Sequence, residues 1–366
     1  MNKLLNFFTD AKLTFFALPW LMILLILGTV SQRYIGLYES EKLFFGSFIL
    51  WVGAIPLPGA YSILGLFAVS LALKLLFKSK FTKRNSGIII AHASSLILLA
   101  GGLVTSLYRE EGYIVLENLQ SDNVISDYYL RELSISKNGQ QIYKIASNEL
   151  QAGTLFKQAD LPFEIEIKNY CYQCNIVERN EKNQKYKGLA EKFDIIAAGA
   201  AKNDAGNQSG VVFEVKNSPD LSYNGTYIGS EILNIQPEII IGKDSYKIII
   251  GAVKRTLPFS LKLLEFEKRE HPGTEIAKSY RSQVSIIDGK LDWKADIEMN
   301  QPLRYRGYTI YQSSFINNGD KILSVLAVVK NVGEIFPYLA VISLCLGLVI
   351  HLLIIFSKGT KNSPKN

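Results

Sequence analysis

The sequence predicts a multi-span α-helical membrane protein. It has four transmembrane helices and a large β-rich extracytoplasmic domain inserted between the third and the fourth. Three observations carry this reading. Apolar residues make up 48% of the 366-residue chain and the mean hydropathy is +0.13, more than a soluble protein of this size carries. The excess is gathered in runs at about 13–30, 61–77, 86–107 and 334–356, each long enough to cross hydrocarbon as a helix that satisfies its own backbone. Residues 108–333, by contrast, are ordinary in polarity and break into short β-branched and aromatic runs.

The charge distribution orients the spans. The net charge of +7 does not point to nucleic acid, because much of it flanks the apolar runs as Lys3, Lys12, Lys78, Lys80, Lys83, Arg84, Lys358, Lys361 and Lys365. Cytoplasmic flanks carry such cations. Both termini are therefore expected inside and the β domain outside. Residues 1–107 form the first membrane region, and residues 334–366 the last span with its basic tail.

In chain order, the first span contains Pro19 and closes in Leu27-Gly28-Thr29-Val30-Ser31-Gln32. No small-residue cleavage site ends it, so a retained anchor is expected. Residues 41–53, with Phe44, Phe45, Phe48 and Trp51, are too short to cross and are expected at the outer interface. Pro56 and Pro58 precede the second span, whose Lys74 can snorkel toward headgroups. Lys78 to Arg84 carries four cations and no acid, the strongest orientation signal in the chain.

The β domain alternates clearly in Glu164-Ile165-Glu166-Ile167-Lys168, and turn signals such as Lys137-Asn138-Gly139 and Asp288-Gly289 punctuate it. A faint repeat relates Leu161-Pro162-Phe163-Glu164-Ile165-Glu166-Ile167 to Leu257-Pro258-Phe259-Ser260-Leu261-Lys262-Leu263, which suggests two β halves. Glu181 to Gly210 reads as a long surface excursion.

Chemistry centres on the histidines. His92 is the one titratable residue in the third span, and an ionisable group at that depth points to function by default. Helical steps place it on a stripe with Ser95, Leu99, Gly102 and Ser106, suited to a close protein or cofactor contact. A plain helix–helix hydrogen bond is the alternative. His351 shares a stripe with Ala340, Ser343 and Gly347 in the last span. Counting from Arg84 and Lys358 puts the two imidazoles about 12 Å and about 10 Å from the cytoplasmic charges. At matching depth they suit the two axial positions of a haem b, whereas two histidines alone make a poor zinc site. His351 as a helix C-terminal cation is the competing reading. His271 falls in a polar turn and reads as a surface residue.

Cys171 and Cys174 form a Cys-x-x-Cys pair followed by Asn175, so the haem-attachment pattern is absent. A local disulfide, structural rather than catalytic, is expected outside the cytoplasm. Cys345 reads as a small packing residue. The chain offers no phosphate loop and no Ser/His/Asp arrangement, and nothing in it suggests a soluble enzyme active site.

Four stretches resemble the ResB (CcsB) family of the system II cytochrome c biogenesis machinery: Leu27 to Gln32, Gly87 to Gly102, Leu257-Pro258-Phe259 with Leu263 to Phe266, and Asn300 to Phe315. The last, with Pro302-Leu303, Tyr305, Gly307-Tyr308 and Tyr311-Gln312-Ser313-Ser314, is the most specific. The resemblance implies a plasma-membrane (or thylakoid) subunit that transports haem outward for attachment to apocytochrome c. It would be a non-autonomous part of a cytochrome c haem lyase. A Trp-rich ResC/CcsA-type protein is the implied partner, since this chain has only the scattered Trp20, Trp51 and Trp293. A thioredoxin-like reductant acts indirectly. The resemblance also implies that His92 is a transmembrane haem ligand whose opposite ligand comes from the partner, which competes with the role read for His351. Two other functions remain open from the residues: a b-type haem electron carrier working with quinone, and a membrane-anchored scaffold.

Overall fold

The computed structural model describes residues 2–179, 184–199, 207–233, 236–273, 277–319 and 321–359. Residues 181–183 and 200–206 of the expected surface excursion, and most of the basic tail, lie outside them.

The helices follow the apolar runs. A short α1 (Asn2–Thr9) leads to α2 (Ala11–Ile35), where the Asp10 carboxylate caps the Lys12 amide and Gly36, at φ 82°, ends the helix. The chain then folds back through α3 (Leu37–Ser40) and a wide turn at Glu41–Phe45. Next come β1 (Ile49–Val52) and β2 (Ile55–Pro58), a hairpin turning at Gly53. The aromatic segment expected at the interface is thus a turn and a hairpin, because Gly53 and the two prolines favour a reversal over a helix. α4 (Ala60–Leu73), α5 (Ser86–Tyr108) and α6 (Ile335–Gly359) follow. Ala11–Ile35, Ala60–Lys78, Lys83–Tyr108 and Ile335–Ser357 are each long and apolar enough to cross a membrane.

The fold-back explains the motif closing the first run. Gly28 leaves space for the Phe45 ring, and its carbonyl accepts the hydroxyl of Ser40, which also meets the Ser31 hydroxyl. Ser40 is fully buried, so these bonds satisfy a polar group that would otherwise be costly.

Between α5 and α6 the described residues are mostly β. Its strands are β3 (Glu110–Glu117), β4 (Ser121–Lys137), β5 (Gln140–Ala146), β6 (Leu155–Phe156), β7 (Glu164–Cys171) and β8 (Cys174–Glu178). β9 (Phe193–Ala197), β10 (Gly210–Lys216), β11 (Gly225–Ser230) and β12 (Glu238–Ile241) follow. The last six are β13 (Asp244–Glu270), β14 (Ala277–Asp288), β15 (Leu291–Glu298), β16 (Leu303–Tyr305), β17 (Tyr308–Asn318) and β18 (Lys321–Lys330). Neighbouring strands pair antiparallel throughout, in the order β15-β14-β13-β4-β3-β18-β17-β16 for the large sheet and β11-β10-β7-β6 for a smaller one. Asn138-Gly139 and Arg306-Gly307 turn tight hairpins with both residues at positive φ, the backbone a two-residue hairpin requires.

The long strands β4 and β13 run through two cores. One lobe is a sandwich in which Leu133, Ile135, Ile248 and Ile250 face Ile165, Ile167, Val211 and Phe213 of the smaller sheet. In the other lobe the large sheet curls until Trp293 of β15 meets Tyr305 of β16, their rings 5.8 Å apart. The faint repeat has a physical counterpart here. Leu161, Phe163, Ile165 and Ile167 enter the first core, and Leu257, Phe259, Leu261 and Leu263 enter the second at the same alternation.

Residues 184–199 are not a loose excursion. Ala190 and Ile195 are buried, and the β8–β9 hairpin covers the back of the smaller sheet over Val212 and Ile228.

Candidate functional site

The site region is the pair α5 and α6, which run antiparallel in direct contact. Gly87 faces Gly347 and His351, the Ser94 and Ser343 hydroxyls lie 2.7 Å apart, Gly101 faces Phe336, and Thr105 donates to the Asn331 side chain. A Cβ added at Gly87 would stand 2.6 Å from the His351 amide nitrogen. Backbones approach this closely in membranes only through small residues.

This register separates the two histidines. His351 is level with Gly87. His92, five residues further along α5, sits about 8 Å away along the axis and about 140° around the helix from Gly87. In this register the two imidazoles are not level, so one haem held between His92 and His351 would need another arrangement of α5 and α6. α5 and α6 touch along their length, which leaves no room for a porphyrin, and the imidazoles are not at matching depth. Counting failed because α6 continues about two turns past the start of α5, so Arg84 and Lys358 do not stand level.

The stripe containing His92 faces a different neighbour. Toward α4, the Tyr61 and Ser106 hydroxyls hydrogen-bond at one end, and Lys74 lies within charge range of the His92 imidazole at the other. His92 is half-buried, and no hydrogen bond ties it to a neighbouring helix among the described residues. His351 is also half-buried, and its Nδ1 is enclosed without a hydrogen-bond partner. What sequence reasoning missed is the seven-residue spacing of Gly87, Ser94 and Gly101, the contact face itself. Attention to the histidine stripe concealed it.

His271 is exposed in the β13–β14 turn. Cys345 is exposed on α6, which corrects its reading as a packing residue. Cys171 and Cys174 are joined by a disulfide. It spans the turn between β7 and β8, where both residues are buried under the β8–β9 hairpin. Its loop is short, so it restricts the unfolded chain only modestly. We expect Cys171→Ser with Cys174→Ser to lower the thermal midpoint of the β domain modestly. An unchanged midpoint in the double variant would show that the disulfide does not stabilise the fold.

The most specific sequence stretch is accounted for by the second lobe. Leu303 and Ile310 enter its core, and the rings of Tyr305 and Tyr308 stand edge-on to Phe259. Tyr305 donates to Asp288, which also pairs with Arg306. Gln312 is buried, accepting from the Ser282 hydroxyl at 2.6 Å and donating to the Ser314 carbonyl at 3.0 Å. Residues 229–337, which run from the end of β11 through β12 to β18 and so include most of this lobe, match the ResB-like family. Over these residues the chain is similar to the ResB-like family. A stretch of 105 residues, 28% of the chain, is 35% identical to Protein NrfI of Wolinella succinogenes and covers 11% of that much longer protein. His92, His351, Cys171 and Cys174 all lie outside the matched residues.

Proposed function

We propose that this ResB-like chain works in cytochrome c biogenesis as the membrane subunit that holds haem b for outward delivery to apocytochrome c. Its partners would be a Trp-rich ResC/CcsA-type membrane protein and a larger holocytochrome c synthase assembly. The carrying observation is His92. It is an imidazole on a helix long enough to span, turned away from the tight α5–α6 seam and not committed to an interhelical hydrogen bond. An intramembrane imidazole is retained for a reason.

The residues fit haem as half a site. His92 offers one axial nitrogen, Lys74 offers a positive charge near it for a carboxylate-bearing ligand, and the α5–α6 contact means that a second axial ligand comes from outside this helix pair. Bound haem would supply the iron porphyrin that is joined to the cytochrome thiols. The chain's own contribution is to bind, orient and shield it. Gly102, on the same stripe, has open space before it, so the outer half of this face admits a neighbour.

In the same proposal the four helices cross a bacterial cytoplasmic membrane, or a thylakoid membrane if the chain is plastid-encoded. Lys78 to Arg84 lie in the cytoplasm and the β lobes lie outside. In a Cys345→Ala background, Asp220→Cys is expected to react with an impermeant maleimide added to intact cells. Labelling only after lysis would reverse the topology and remove the outward-delivery reading.

A further inference from the structure

We propose that the cleft between the outer end of α5 and the underside of the β domain binds one phospholipid with an ammonium-bearing head group, of the phosphatidylethanolamine type. The proposal rests on α5 crossing the bilayer, and it is independent of haem.

The cleft has a volume of about 880 Å³, and its polarity changes along α5. Its lower wall is apolar or small, with Leu98, Gly101, Gly102 and Pro337, and Thr105, Ser106 and Asn331 lie between it and the charged end. Its upper wall carries charge, beginning at Arg109 where α5 ends. Leu98 to Arg109 is about 16 Å of helix, close to the hydrocarbon depth of one leaflet, about 15 Å. A cavity that is apolar at the bottom and ionic at the top over that depth fits a single amphiphile lying along the helix.

The charges select the head group. Arg109 pairs with Glu111 at 2.6 Å and Arg255 with the buried Asp127 at 2.8 Å, so these four groups nearly cancel. Glu41 and Glu110 also line the cleft and make no ion pair among the described residues. The surplus is negative. An ammonium satisfies it, and the stacked rings of Tyr38 and Tyr129, 4.7 Å apart, offer a further surface for a cation. Arg109 is part-exposed and keeps donors for the adjoining phosphate. A purely anionic lipid, or the two propionates of a haem, would instead meet the unpaired carboxylates.

The test is native mass spectrometry of the full chain extracted from bilayers of equal phosphatidylethanolamine and phosphatidylglycerol. Gly102→Leu is the informative variant, because a Cβ there meets no atom within 4 Å and the side chain fills the cleft without touching the α5–α6 seam. The wild type is expected to retain one phosphatidylethanolamine, about tenfold over phosphatidylglycerol, equivalent to roughly 1.4 kcal/mol. Gly102→Leu should lose it at an unchanged thermal midpoint, and Glu41→Gln with Glu110→Gln should abolish the preference. Equal retention by Gly102→Leu would mean annular lipid only and would overturn the site, as would preference for phosphatidylglycerol or no retained lipid. Detergent-phase partitioning of the same samples reads the spanning separately. A chain that stays in the aqueous phase overturns that reading, and the site with it.

Discussion

On the proposed function, His92→Ala is expected to remove the low-spin haem absorption of the purified complex and to stop cytochrome c maturation, while His351→Ala is expected to leave the bis-imidazole spectrum in place. The two imidazoles lie on helices in direct contact, yet they face different surroundings. His92 looks toward α4 and Lys74, whereas His351 is set against Gly87 at the seam. The first faces away from the α5–α6 seam, toward where a ligand from beyond the pair would arrive. Added imidazole should restore the spectrum of His92→Ala by filling the vacated axial position. An unchanged haem content and spectrum in His92→Ala, measured with and without the Trp-rich partner, would refute the haem assignment. If both variants lose the spectrum, His351 is a ligand in an arrangement other than the one described. If neither does, the quinone-linked carrier and the anchored scaffold must be weighed on other residues.

Gly101→Leu is expected to unfold the α5–α6 pair, and its neighbour Gly102→Ala is expected not to. A Cβ at Gly101 collides with the Phe336 Cβ, an atom fixed to the opposing backbone that cannot swing aside. Overpacking costs roughly 1–3 kcal/mol in a forgiving core. Here α5 and α6 must separate over several turns and lose the Ser94–Ser343 bond as well, so the upper end or more is expected. At Gly102 nothing stands within 4 Å, and alanine is the better helix former by about 1 kcal/mol. Thermal midpoints from size-exclusion profiles distinguish the two directly. Comparable losses at both positions would show that the α5–α6 register is wrong.

Much of the architecture was open to inference from local chemistry. The apolar runs could only be helices if they cross hydrocarbon, and Asn138-Gly139 and Arg306-Gly307 dictate hairpins because both residues of each turn sit at positive φ. The alternation at Leu161 and Leu257 fixed which side chains go inward. Partnership was harder to read. The segment Glu41 to Gly53 was apolar enough for an interface, yet its place depends on Gly28 receiving Phe45, a contact between residues far apart in sequence.

Composition and periodicity by themselves determined the apolar helices, the β-rich domain and a histidine within an apolar helix that asks for a function, since each follows from backbone satisfaction, pleat and desolvation within a few residues. The tertiary structure alone decided which small-residue stripe of α5 meets α6. Both stripes are compatible with close approach, and the choice rests on a register set by Gly87, Ser94 and Gly101 against Gly347, Ser343 and Phe336. That register turns His92 away from the seam and sets His351 against it. A depth count along single helices cannot contain this result, because it depends on where two helices stop sliding past each other.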